Sequence, residues 1–188
     1  KRAIGNVANE DNLSLKTMEI NPNGKRGEGV SIAILDSSFY LQHDCFSPLA
    51  SNIEVKYTQD SIQNIIEGTN FNGKRESANQ NTTYYNNKVP FYYDYGGDTK
   101  VKDNPSSPDY DVYSVASDHG QMVASIAAGN GENYKGIASN AQLLLMKVFT
   151  SYTPTKPDAA AGKVPSIFST NEAILNALED CLILGVDI

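Results

Sequence analysis

The chain has 188 residues, 40% of them hydrophobic, which is enough to build one full-sized domain core. Its 15 Lys and Arg against 22 Asp and Glu leave a formal net charge of −7, which argues against a nucleic-acid groove, since such a groove needs a basic stripe. No apolar run approaches the length needed to span a bilayer, so a soluble chain is expected; the start at Lys1, with neither an initiator Met nor an apolar leader, leaves a signal peptide undecided, since a sequence can begin inside a precursor.

Residues 1–28 read as peripheral and polar, with a short helix over Leu13 to Ile20 and a turn at Asn21-Pro22-Asn23-Gly24. Val30–Leu35 is a continuous apolar run bounded by Gly29 and Asp36. Continuous hydrophobicity fits a central parallel strand covered on both faces. Residues 61–118 differ in character: asparagines, then tyrosines (Tyr84, Tyr85, Tyr92, Tyr93, Tyr95), then Asp94, Asp98, Asp103, Asp109 and Asp111. This stretch reads as a surface insertion of loops and short β elements, with one strand at Val89–Tyr95. Its aspartates are either solvated surface or calcium ligands, without the regular spacing of a calcium loop. Asn81-Thr82-Thr83 matches a glycosylation sequon, a pattern common by chance.

Regular structure returns with a helix over Met122–Ala128 that ends near Gly129, and a buried strand over Leu143–Phe149. Residues 150–168 read as a loop. Ser169-Thr170-Asn171-Glu172 matches a capping box with Ser169 at the cap. The helix it opens has Ile174, Leu175, Leu178, Cys181 and Leu182 at the spacing of one buried face. Gly185-Val186-Asp187-Ile188 then leads into a further strand. This order predicts an α/β fold: a three-layer, mostly parallel sheet with helices on both faces, incomplete in this chain. Cys45 and Cys181 belong to no CxxC or Cys/His cluster, so free thiols and a disulfide both stay open.

Of the two histidines, His43 and His119, the second heads a small-residue helix, between Asp118 and Gly120. Gly120 leaves room for another backbone or a substrate to approach. Asp36 closes a buried strand, at the carboxyl edge where ligands bind in such sheets. An acid there can fix the tautomer of an imidazole and stabilise its cation, the supporting half of a serine-nucleophile triad. No Gly-x-Gly-x-x-Gly turn or phosphate loop follows the first strand, which argues against a nucleotide-binding domain.

These segments together resemble a family, the subtilisin-like serine proteases. Gly29-Val30-Ser31-Ile32-Ala33-Ile34-Leu35-Asp36-Ser37 is similar to their aspartate motif, and His43 to Phe46 to the His-Pro-x-Phe that often follows. His119-Gly120-Gln121-Met122-Val123-Ala124 is similar to their histidine motif. Lys135 to Leu143 resembles their Gly-Val-Ala-Pro-x-Ala stretch, and Ala173 to Ile188 the helix and strand before their Asn-Met-Ser segment. The insertion around Lys88 to Tyr95 resembles that of Gram-positive cell-envelope proteases of the lactocepin and streptococcal complement-cleaving type.

The resemblance implies a serine endopeptidase acting on protein substrates, secreted or at the cell surface, with Asp36 orienting His119 and His119 serving as general base and then general acid. It implies a substrate-cleft position for Phe149, for which a core position is an equal alternative. It names no certain cofactor, with calcium as the one candidate metal. The nucleophilic serine and the oxyanion asparagine are absent from this sequence, so residues 1–188 are expected to be the amino-terminal portion of one catalytic domain, inactive alone. A companion chain or a missing carboxyl-terminal half is expected to carry the serine. Ser38 stands where the family has glycine, and Gln121-Met122 where it has Thr-His. These departures motivate the alternative, a pseudoprotease that binds or regulates without cleaving.

Overall fold

The computed structural model describes residues 24–74, 83–97, 118–152, 156–163 and 166–188. Strand β1 (Ser31–Asp36) runs parallel to β3 (Gln142–Lys147), pairing Ser31 with Gln142 and Asp36 with Lys147. Strand β2 (Phe91–Asp94) lies parallel on the other side of β3, with Phe91 opposite Leu144 and Asp94 opposite Lys147. The sheet order is therefore β1-β3-β2. All six residues of β3 are buried, as a strand covered on both faces requires. Beyond β1, the chain at Ile188 donates its N–H to Ser31 O (3.2 Å) and accepts from Ala33 N (2.9 Å), so the outer edge of β1 is also engaged.

Helices cover both faces. Helix α2 (His119–Ala128) packs Ala124 and Ala128 against Ile32, Ile34, Leu143 and Leu145. Its small side chains let it lie close to the sheet. On the opposite face, Leu144, Met146 and Phe91 meet α1 (Gln59–Gly68) through Ile62 and Ile66, and α4 (Asn171–Leu184) through Ala173, Ala177 and Leu184. This is a partial three-layer α/β fold with a mostly parallel sheet.

Several local expectations are corrected. Residues 61–68 belong to helix α1 rather than to loops. Thr58 and Ser61 form a capping box, and Ile62 and Ile66 are one turn apart on its buried side. The tyrosine segment is not surface decoration: Val89, Phe91 and Tyr92 are buried, because β2 completes the sheet. The buried strand stops at Lys147, and residues expected as a loop form β4 (Phe149–Tyr152), α3 (Lys156–Ala160) and β5 (Ser166–Ser169). β4 and β5 pair antiparallel, Phe149 opposite Ser169. The cap of α4 is Thr170, whose side chain accepts from Ala173 N (3.1 Å), because Ser169 Oγ instead donates to Val148 O (2.7 Å).

The buried face of α4 also differs. Ala173, Ala177, Asp180 and Leu184 point inward, whereas Leu175 and Leu182 are 57% and 82% exposed. The face of α4 that meets the sheet and α1 carries Ala173 and Ala177, and most of its larger apolar side chains lie on the other faces. The expected helix at Leu13 to Ile20, the sequon at Asn81 and the aspartates from Asp98 to Asp111 lie outside the described residues.

Candidate active site

The carboxyl ends of the three strands carry Asp36, Lys147 and Asp94 in one transverse row. Side chains on alternating positions share a face, so this row continues the face that meets α2. Lys147 and Asp94 form a buried ion pair, Nζ to Oδ2 at 2.9 Å. Asp94 Oδ1 also accepts from Gly96 N (2.8 Å) and Gly97 N (3.0 Å), fixing the turn after β2.

Asp36 turns instead to α2. His119 Nδ1 is 2.9 Å from both carboxylate oxygens of Asp36. Ser37 N donates to Asp36 Oδ1 at 2.6 Å, which holds the carboxylate plane. The Asp36 side chain is 14% exposed and that of His119 61% exposed. With the carboxylate ionised, Nδ1–H donates to it, and Nε2 is left as the basic nitrogen. The dyad thus has a sheltered acid and an imidazole open to solvent, the arrangement in which a histidine can relay a proton to and from a substrate.

Its local support comes from sequence features on both sides. Gly120 packs where a Cβ would meet Ser38 O at 2.8 Å and Asp36 Cβ at 2.9 Å, so the helix start is seated directly on the end of β1. Gly120 N approaches Ser37 Oγ at 3.4 Å. Asp118 makes no side-chain cap to α2, so this seating holds the first turn in place of a cap. Sequence reasoning noted Gln121 only as a departure. In the fold its Oε1 accepts from Tyr40 N (2.8 Å) and its Nε2 donates to Cys45 Sγ (2.9 Å).

His43 lies elsewhere in function: its Nδ1 accepts from Cys45 N (3.2 Å) and caps the short 3-10 turn Asp44–Phe46. Phe149 is partly buried against the core side that holds Leu144 and Met146, and its carbonyl lies against Gly96. Both cysteines are free thiols. Cys45 packs on the α2 side of the sheet and Cys181 on the α4 side, which excludes a bond between them. Burial pushes both thiols up, Cys181 to about 11, so neither has the thiolate character of a nucleophile. Among the described residues no group of three or more His, Cys, Asp or Glu could hold a metal ion, and Asp94 is committed to Lys147.

Residues 27–177 match the Subtilase family, a stretch that contains Asp36, His119 and all of the sheet. The chain belongs to the subtilase family. Its relatives include the PI-type proteinase of Lactococcus lactis subsp. cremoris, 28% identical over 171 residues, and a PII-type proteinase of the same organism, 27% identical. A PII-type proteinase of Lacticaseibacillus paracasei is 26% identical. Each match covers 87% of this chain but 7% of the relative, so this subtilase chain spans a small part of the length of those proteins.

Proposed function

We propose that the protein of which this chain is part is a serine endopeptidase cleaving peptide bonds in protein substrates. The observation that carries the reading is the 2.9 Å contact between His119 Nδ1 and both oxygens of Asp36, at the carboxyl edge of a parallel sheet in a subtilase chain. In this reading residues 1–188 are the amino-terminal portion of one catalytic domain, and the serine comes from polypeptide outside them. Asp36 holds His119 in the tautomer with Nδ1 protonated. Nε2 takes the serine proton as its oxygen attacks the scissile carbonyl, and returns it to the leaving amine as the tetrahedral intermediate collapses. Asp36 stays ionised throughout and stabilises the imidazolium formed in between. Without the serine the dyad has no nucleophile to activate, so residues 1–188 alone do not cleave.

The likeness to Lactococcus and Lacticaseibacillus proteinases supports a protein substrate, and placement outside the cell or at its surface rests on the family resemblance. The cleft position of Phe149 rests on the family resemblance alone; its side chain packs against the core side that holds Leu144 and Met146. The test is hydrolysis of a protein substrate by the full-length protein together with labelling by a fluorophosphonate. Cleavage and labelling are expected, and His119→Ala should abolish both. Normal cleavage by His119→Ala overturns the proposal. A full-length protein that binds a substrate but takes no fluorophosphonate and cleaves nothing is the pseudoprotease motivated by Gln121 and Met122.

A further inference from the structure

We infer that Gln121 is a positioning residue for the Asp36–His119 dyad, an inference that rests on the endopeptidase reading for its kinetic consequence but not for its structural one. The two dyad residues come from separate elements, and the segment leaving Asp36 must be held against α2 for them to meet. Gly120 supplies shape: it lets the helix start approach Ser38 and Asp36. A missing Cβ permits contact without enforcing it. The enforcing bonds come from the next residue. Gln121 Oε1 takes the N–H of Tyr40, four residues beyond Asp36, and Gln121 Nε2 donates to the sulfur of Cys45, at the far end of the same loop.

One amide therefore ties two points of the 37–46 loop to the first turn of the helix that carries His119. Cys45 is buried against the α2 side of the sheet, so its sulfur is held in place as the acceptor, and burial pushes its thiol up. Ser125 Oγ donates back to Gln121 O at 2.7 Å, which anchors the Gln121 backbone in the helix. The imidazole stands on the first turn of this helix, so the seating of that turn against the loop sets how His119 meets Asp36. Gln121, a departure from the family pattern, thus serves to fix the acid–base geometry through its bonds to Tyr40 and Cys45.

The test uses the full-length protein labelled with heavy nitrogen in histidine. Wild type should show a low-field Nδ1–H resonance from His119 bonded to Asp36. Gln121→Ala should lose that resonance or shift it upfield while keeping its circular dichroism. Gln121→Glu, which retains the acceptor for Tyr40 N, should restore it in part. In hydrolysis, Gln121→Ala should lower kcat by about 10- to 100-fold with little change in KM, the scale of an ångström-sized misplacement. A wild-type resonance in folded Gln121→Ala overturns the inference. If Gln121→Ala does not fold, Gln121→Met keeps the stem volume and is read in the same way. Absence of hydrolysis and of fluorophosphonate labelling in wild type would overturn the endopeptidase reading, while the resonance still decides the role of Gln121.

Discussion

Gly120 and Asp36 touch: a methyl group built on Gly120 would sit 2.9 Å from Asp36 Cβ and 2.8 Å from the carbonyl oxygen of Ser38. The first neighbour is the stem of the candidate acid and the second is backbone, so neither can swing aside. Gly120→Ala must therefore move the helix start away from β1. A destabilisation of about 1–3 kcal/mol is expected from overpacking at this site. Chemical denaturation measures it. The same displacement should weaken the His119–Asp36 bond, visible as loss of the low-field imidazole resonance in protein that is still folded.

A second prediction concerns Asp180, buried on α4. Its carboxylate accepts from Asn72 N (2.8 Å), Gly73 N (2.7 Å) and Tyr95 OH (2.6 Å), pinning the end of α1 and the exit of β2 to one helix. Asp180→Ala strands these donors, among them the buried Gly73 N–H, at an expected cost of about 3 kcal/mol or more. Tyr95→Phe removes one bond and should cost about 1 kcal/mol. Denaturant midpoints of the two variants should fall in that order. Equal effects would show that the carboxylate is not the organising group.

Lys88 gives a pH-dependent prediction. It is fully buried, and its Nζ donates to Ser139 O (3.0 Å) and to Ala141 O. Burial, with Lys135 adding to it and Cys45 opposing it, pushes the Lys88 ammonium down to about 7 from the ordinary 10.5. Between these two values the unfolded chain holds a proton that the folded one has released, so stability rises with pH across that window and this group adds no slope below it. Replacing Lys88 with Met should remove this rise. Urea midpoints of wild type and variant from pH 7 to 10.5 measure the difference, and parallel curves would contradict the assignment.

Acid sensitivity is expected from Asp187. Lys56 donates to it at 2.8 Å, as do Ser31 N (2.9 Å) and Ser31 Oγ (2.8 Å). The bond from Lys56, followed by those from Ser31, lowers this carboxyl to about 2 from 3.8. A lowered carboxylate contributes stability that is complete above the unfolded value, here 3.8, and lost as pH falls towards 2. The pair is partly exposed, so solvent screening keeps its contribution below about 1 kcal/mol. Asp187→Asn should flatten the acid limb of a thermal-melt series, and Lys56→Met should flatten it in part.

What the sequence determined by itself was the place of the two longest strands and of the two candidate residues beside them. Apolar runs of six or seven residues fit strands buried on both faces, and they located β1 to within one residue and β3 to within two. An acid at the end of such a run, and the histidine before a small-residue helix, marked Asp36 and His119 by type and position. Tertiary structure decided what depends on distance across the chain. Which face of α4 is buried was settled by where α1 and the sheet meet it, so Ala173 and Ala177 went inward and Leu175 and Leu182 outward. Ser169 lost the cap of α4 to Thr170 because Val148, distant in sequence, offered its carbonyl. Gln121 found Tyr40 and Cys45 only once the loop leaving β1 had folded over the helix. Local pattern encodes burial and periodicity, whereas a hydrogen bond between remote residues needs a geometry that no local window contains.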